Sequence, residues 1–371
     1  MTATIDKPVV VTHIISGDLW AGAEVQVYNL CKGLIKTQTV RPTAIVFNEG
    51  LLSARLRELG VEVEIADETR LGPIGIIRAI SAHCRKSDSR VVHTHGFKEN
   101  ILGVLAKDLA RVPRSIRTVH GNPETPLASL QIHKRLIQKL DILLGRFRQD
   151  YIVAVSTQLE EFLETRFPGK VVKIFNFIDF DSLKDQWPKP AKSESEAVSI
   201  GIVGRLVPVK RVDLFLETLA LLKSQEIAYR GVVIGAGPME TALKKLTASL
   251  GLQDLVEFKG FVDPVHEEIR KLDILLMPSD HEGLPMTLLE ALALDIPTVA
   301  HSVGGIPDLF QYSSSAWLVT AHNPSGYSDA INKVISSIKE RQHRRKPEDH
   351  SLLRDNFDIK PNISKYLELY I

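Results

Sequence analysis

Short β-branched apolar runs alternate with helix-length amphipathic segments from one end of this chain to the other, and that alternation restricts the fold more than any other feature. "VVVTHII" is followed by "AEVQVYNLCKGLI", and "TAIVF" by "SARLRELG". "RVVHTH" leads into "ENILGVLAKDLA", "SIRTVH" into a long segment ending near Phe147, and "YIVAVS" into "TQLEEFLETRF". Runs that are apolar on both faces belong in parallel sheets covered by helices on either side. The pattern stops at residues 187–197, "WPKPAKSESEA", where two prolines, two serines and mixed charge mark a linker. It then restarts with "AVSIGIVG", "RVDLFLETLALLKSQ", "YRGVVIG" and "DILLMPS".

The expected fold class is therefore α/β, as two Rossmann-like domains in tandem. The N-terminal domain covers 1–186 and the second covers 187–350. Residues 351–371 form an amphipathic helix expected to pack back toward the N-terminal domain. The preceding run "KERQHRRK" reads as a solvated helix end. A length of 371 residues agrees with two domains, since one core rarely grows so large. Two such units place their strand C-terminal ends where a cleft can hold a ligand.

Composition excludes several classes. A formal net charge of +1 gives no general attraction to polyanions, so no nucleic acid partner is expected. Cys31 and Cys84 each sit in an apolar, helix-like stretch and read as buried free thiols. Two cysteines are too few for a disulfide scaffold or a cysteine zinc cage. "MTATIDKPVVVTHIISG" reads as a buried strand and not as a signal peptide. No apolar run approaches the roughly 20 residues of a spanning helix. The expected location is cytoplasmic, with any membrane contact peripheral on the inner face.

Four joints in the second half carry chemistry. In "GIVGRLVPVKRVDLF", Arg205 and Lys210 stand between a strand end at Gly204 and a helix start, an anion site whose spacing suits a diphosphate. In "VVIGAGPME", Gly235 and Gly237 allow a tight turn against bound phosphate or a neighbouring loop. Glu240 replaces the third glycine of a dinucleotide fingerprint, which disfavours a dehydrogenase. In "VEFKGFVD", a strand ends at Gly260, Phe261 and Val262, where backbone could meet a base. In "DHEGLPMTLLEALALDIPTVAHSVGGIPDLF", Gly283 and Pro285 mark a helix start. Glu282 precedes it, and Glu290 lies about two turns further on. A carboxylate among apolar neighbours needs a partner, and a ribose diol is one.

The series Gly204-Arg205…Lys210, Gly235-x-Gly237-Pro238, Phe258-x-Gly260-Phe261-Val262 and Glu282-Gly283…Glu290 closely resembles the retaining GT-B glycosyltransferases of family 4. The resemblance implies parallel sheets facing across a cleft, and it implies roles. Arg205 and Lys210 would bind the donor diphosphate, Glu290 the ribose and Glu282 hydroxyls of the donor sugar. The amides of Gly283, Leu284 and Pro285 would support sugar and phosphate, and Val262 would meet the base through its backbone. "SGDLWAGAEVQVYNLCKGL" is similar to the family's first glycine-rich loop, with Gly22 and Glu24 in matching places. Ala21 stands where a second glycine is common. "RTVHGNPE" places His120 where the family keeps a histidine near the anomeric carbon. His120 and Glu282 are thus the catalytic candidates, and His95 of "VVHTHGF" is the candidate acceptor contact.

No cofactor is implied. Asp179-x-Asp181 imitates the metal pair of another glycosyltransferase fold but reads as the turn out of the first domain. Arg205 and Lys210 already supply positive charge, so no metal is expected. The expected reaction moves a sugar, from UDP by the habit of the family, to an acceptor hydroxyl with retained α configuration. The leaving phosphate would accept the proton. Alternatives are a sugar-nucleotide epimerase of the same shape and a non-catalytic nucleotide-sugar-binding protein. Between Lys107 and Arg148 there are nine Lys/Arg and three Asp/Glu. The segment 127–148 is apolar on one side and basic on the other, which suits an anionic membrane surface and a lipid-linked acceptor in polysaccharide or envelope glycan assembly.

Overall fold

The computed structural model describes residues 7–121, 132–187, 197–340 and 347–371. The chain forms two compact units, Met1–Phe177 together with Phe357–Ile371, and Ile178–Asn356. The composition break at 187–197 lies one short helix beyond this division.

In the first unit the order is β1 (Val9–Ile15), α1 (Gly22–Thr37), β2 (Val40–Val46), α2 (Leu51–Glu58), β3 (Glu62–Ile65), α3 (Pro73–Ser87), β4 (Val91–Thr94), α4 (Phe97–Ala110), β5 (Arg114–Val119), α5 (Ile132–Arg148), β6 (Tyr151–Ala154), α6 (Thr157–Glu164) and β7 (Val171–Lys173). The seven strands are all parallel, in the order β3-β2-β1-β4-β5-β6-β7. Strand order reverses between β1 and β4, where an open parallel sheet leaves a crevice at its C-terminal ends. Register sets His13 of β1 beside His93 of β4. Successive strand residues point to opposite faces, and both faces are apolar. Ile14, Ile45 and Val92 pack with Ile76, Ile80 and Cys84 of α3. Val11, Val91, Ile116 and Val153 pack with Leu30 and Leu34 of α1 and with residues 359–370. Cys31 and Cys84 are both buried and free, as their apolar surroundings suggest.

The second unit opens with α7 (Phe180–Gln186), whose N-cap Asp179 accepts from the Ser182 amide at 3.1 Å. The expected turn out of the first domain is thus a capped helix start. There follow β8 (Val198–Val203), a 3₁₀ turn (Pro208–Lys210), α8 (Val212–Ser224), β9 (Tyr229–Ile234), α9 (Glu240–Ser249), β10 (Val256–Gly260), α10 (His266–Arg270), β11 (Ile274–Met277), α11 (Met286–Ala293), β12 (Thr298–His301), α12 (Ile306–Phe310), β13 (Ala316–Val319), α13 (Pro324–Glu340) and α14 (Pro347–Phe357). Its six parallel strands run β10-β9-β8-β11-β12-β13, with the reversal between β8 and β11. One core joins the strands to α8 and α13 through Phe215, Leu219, Tyr327 and Ile331.

The last helix, α15 (Ile359–Tyr370), belongs to the first unit. Asp358 caps it by accepting from the Lys360 amide at 3.0 Å. Ile359, Ile363, Tyr366, Leu369 and Tyr370 recur at helical spacing and are buried in the same core as Leu30 and Leu34. Gly33 of α1 is where the two helices meet most closely, since a Cβ there would come 2.5 Å from Ile363.

Candidate active site

In the second unit, the loops leaving β8 and β11 flank the strand-order reversal. Gly204 follows β8 at φ 156°, and a Cβ on Gly235 would lie 1.8 Å from the Gly204 carbonyl oxygen. Of the two uses the sequence allows for that glycine pair, close approach of neighbouring loops is the one observed. The chain then makes its 3₁₀ turn, passes through Arg211 in the left-handed region (φ 50°) and enters α8. Arg205 and Lys210 line one small recess with Gly204, Met277 and Ser279. The two loops are tied by the Asp280 amide, which donates to the Val209 carbonyl at 2.9 Å.

Lys210 Nζ donates to Glu282 Oε1 at 2.6 Å, joining the expected phosphate ligand to the expected sugar ligand. The Glu282 side chain is 8% exposed and that of Lys210 22%. A nearby polar group steadies this loop. Asp280 accepts from Arg211 Nη1 at 3.2 Å and meets His322 Nε2 at 3.0 Å. His322 in turn touches His301 and Tyr327. Burial, with the charge of His322 adding to it, pushes the His301 imidazole down to about 4. Arg211 comes from the β8 joint itself, and His301, His322 and Tyr327 come from the joints at the ends of β12 and β13, so no local pattern announces them.

Gly304 completes the loop cluster. Its φ is 59°, and a Cβ there would come 1.9 Å from the Glu282 carbonyl oxygen. The Gly305 amide donates to the Gly283 carbonyl at 2.6 Å. The glycine turn in "HSVGGIPDLF" therefore presses directly on the Glu282 loop.

The helix start needs one correction. Pro285 is the N-cap of α11 and has no amide hydrogen, so it cannot donate to sugar or phosphate. The open N–H groups of this terminus are those of Met286 and Thr287, the first residues of the helix proper. The Leu284 side chain is 2% exposed and belongs to the core, leaving only its backbone to serve a ligand. Glu290 lies inside α11, 7% exposed. Its partner is His266 Nε2 at 3.4 Å, from α10, with Trp187 6.1 Å from the histidine ring. Val262 sits two residues past β10 and is half-buried.

In the first unit, Gly22 is the first residue of α1, and Glu24 accepts from the Ala21 amide at 3.2 Å. Burial pushes the Glu24 carboxyl up to about 7, against the lowering effect of its backbone hydrogen bonds, with Asp18 and Glu99 raising it further. His120 is at the end of β5 and is not isolated. Its Nε2 meets His95 Nδ1 at 3.3 Å, and His95 Nε2 meets His13 Nδ1 at 3.0 Å. His95 is 6% exposed with both ring nitrogens engaged inside the protein, which leaves neither for an acceptor in this arrangement. His93 Nδ1 meets the Tyr370 hydroxyl at 2.7 Å and its Nε2 meets Thr118 Oγ1 at 2.8 Å. His13, His93 and His95 come within metal-ligand spacing of one another. Both His93 nitrogens are already taken by hydroxyls, however, so the cluster closes as a hydrogen-bond network. Burial holds all four imidazoles neutral, with His13 lowered to about 3 and His120 to about 4, and His93 and His95 well below the ordinary range.

The basic segment expected over 127–148 is described as the helix α5; residues 127–131 lie outside the described residues. Ile137, Leu140, Leu143 and Phe147 are exposed, Phe147 to 75%, and share one helical face. Asp141 is buried and anchors α5 through Arg117 Nη1 at 2.8 Å and Asn100 Nδ2 at 2.7 Å. Among the described residues no helix is long and apolar enough to cross a membrane.

Two Rossmann-like units, each with its own parallel sheet and with polar residues gathered at the strand-order reversals, define the GT-B architecture. A family model described as Glycosyltransferase Family 4 matches residues 20–182, and one described as Glycosyl transferases group 1 matches 184–348. The chain is a GT-B glycosyltransferase of the family 4 type. It is similar to N-acetyl-alpha-D-glucosaminyl L-malate synthase of Bacillus anthracis, 28% identical over 76% of this chain and 74% of that one. The amylovoran biosynthesis glycosyltransferase AmsK of Erwinia amylovora is 29% identical over 66% of this chain, and the match spans 59% of AmsK. Among solved structures, Anabaena Alr3699/HepE in complex with UDP-glucose superposes with a TM-score of 0.78 at 16% identity, over 97% of this chain and 99% of that one, a likeness of fold.

Proposed function

We propose that this protein transfers a sugar from a UDP-sugar to an acceptor hydroxyl, with retention and without a metal, in the assembly of a polysaccharide or envelope glycan. The observation that carries the proposal is the Lys210–Glu282 pair on the β8 and β11 loops, beside Arg205 and the open start of α11. Two cations and free helix amides face the place where negative charge grows as the nucleotide diphosphate departs, and they stabilise that state more than the ground state. When a diphosphate arrives, Lys210 turns to it and releases Glu282 to accept hydroxyls of the sugar. Glu290, oriented by His266, accepts the ribose diol, and the Val262 backbone meets the base. His120 contacts the sugar near its reacting carbon.

A double displacement needs an uncommitted carboxylate nucleophile, whereas Glu282 is held by Lys210 and Glu290 by His266. Same-face attack, with the leaving phosphate taking the acceptor proton, meets that constraint. The AmsK name supports a polysaccharide role, and the UDP-glucose of the Anabaena neighbour supports uridine. The exposed apolar stripe of α5, with Lys139 and Arg146 on the same helix, suits a lipid-linked acceptor at an anionic bilayer.

A thermal-shift panel of UDP- and GDP-sugars tests the donor, because a ligand bound only by the folded state raises the melting temperature. Stabilisation by UDP-sugars and an α-linked product by NMR are expected. No shift with any nucleotide sugar, or a β-linked product from an α-donor, refutes the proposal.

A further inference from the structure

His13, His95 and His120 make two imidazole–imidazole contacts in series, and each end of the series carries a nitrogen without a hydrogen-bond partner among the described residues, His13 Nε2 and His120 Nδ1. Three neutral imidazoles hold three ring hydrogens, and the two contacts use two of them. Only two arrangements satisfy both contacts: every ring protonated on Nδ1, or every ring protonated on Nε2. Any mixture sets lone pair against lone pair or hydrogen against hydrogen. The arrangements differ in which end keeps the third hydrogen.

A buried N–H without an acceptor is rarer and more costly than a buried lone pair without a donor. The His13 end is deep, at 0% exposure, where no ligand reaches it. His120 Nδ1 is covered as well, but its residue is half-buried and lies just past β5, at the end of the parallel sheet where ligands bind. We propose that this series is a polarised chain in which His13 and His95 are positioning residues: they hold His120 as the Nδ1–H form, so that it donates a hydrogen bond to a hydroxyl oxygen of the transferred sugar and does not act as a base. The sugar contact rests on the function proposed above; the polarity of the chain does not. Burial, which keeps all three rings neutral, is what makes the count of three hydrogens hold.

The test is long-range ¹H–¹⁵N correlation NMR on the full chain labelled with ¹⁵N-histidine, with His120 assigned by loss of its signals in His120→Gln. The wild type should show His120 with its hydrogen on Nδ1. His13→Phe keeps a ring of similar size but removes the donor to His95, and should convert His120 to a mixture of both forms. His13→Asn, whose amide nitrogen takes the place of Nδ1, should restore the single form. With these changes kcat should fall in His13→Phe in proportion to the share of His120 that leaves the Nδ1–H form, about twofold for an even mixture, and recover in His13→Asn, while the donor KM and the thermal shift with UDP stay put. Wild-type His120 bearing its hydrogen on Nε2, or an unaltered His120 in His13→Phe, overturns the chain. Full turnover in His120→Phe, which keeps a ring but no donor, overturns the sugar contact and leaves the NMR result standing.

Discussion

Replacing Lys210 with methionine separates the two jobs of that residue. The change keeps the aliphatic stem and removes the charge from a pair 2.6 Å apart whose carboxylate is 8% exposed. Breaking a fully buried pair from one side costs about 3–5 kcal/mol, because a charge is left uncompensated. Lys210 is 22% exposed, so solvent screens part of this and about 2–3 kcal/mol is the expected loss. For a unit of this size that lowers the melting temperature by about 4–12 °C. The same variant forfeits a charged hydrogen bond to diphosphate, about 1.5–3 kcal/mol, or roughly a 10- to 150-fold rise in the Kd for UDP. UDP at 100 times the wild-type Kd stabilises the wild type by about 2.7 kcal/mol and should stabilise the variant by about 1.4 kcal/mol or less. The informative comparison is Lys210→Met with Glu282→Gln. Neutralising the stranded carboxylate should recover more than half of the lost stability, yet the UDP response should stay lost. Differential scanning fluorimetry with and without UDP reads both quantities. A single variant that melts within about 1 °C of wild type with an intact UDP shift refutes the reasoning, as does a double variant that loses the sum of two independent penalties.

Glu24 should make stability depend on pH: its carboxyl is raised from 4.5 to about 7 in the folded protein, so the folded state holds the proton longer and stability falls as pH rises from 4.5 to 7. Glu24→Gln should gain up to about 3 kcal/mol at pH 8 and nothing at pH 4 in urea unfolding; equal effects at both pH values count against it. Gly304→Ala, a left-handed position whose Cβ would strike the Glu282 carbonyl, should cost more than about 1 kcal/mol and weaken UDP binding, read by melting and calorimetry. Leu143→Glu with Phe147→Glu should abolish sedimentation with phosphatidylglycerol vesicles while leaving the UDP shift intact, and the wild-type binding should fall at high salt. Unchanged sedimentation of the double variant would remove α5 as the contact.

Much of the architecture was legible because a parallel strand buried on both faces has a plain signature, as in "VVVTHII" and "DILLMP". The placement of the residues proposed for the donor was legible for a related reason: Arg205, Lys210, Glu282 and Glu290 lie at or beside strand-to-helix joints, which short patterns mark. What joins them was not. Lys210 and Glu282 are 72 residues apart, and their bond depends on β8 and β11 being neighbours in the sheet. His266 reaches Glu290 from another helix, and Asp280 is held by Arg211 from the β8 joint and by His322 from the β13 joint. The histidine series needed the His13–His93 register, and the Tyr370 partner of His93 needed the return of α15, neither of which has a local signal. The Pro285 donor failed on chemistry that the sequence already contained, since a proline lacks the hydrogen whatever its place in the fold.

The return of α15 has a consequence for how the protein is made. Synthesis runs from the N-terminus, and domains generally fold as they emerge. Here the residues that seal the first core, Ile359 to Tyr370, leave the ribosome only after all of 178–356 has been translated. The nascent first unit must wait, with Leu30, Leu34 and the His93 ring uncovered, while its neighbour is already complete. A premature stop codon anywhere between codons 357 and 371 would therefore damage the half of the molecule that was translated first and spare the half translated later.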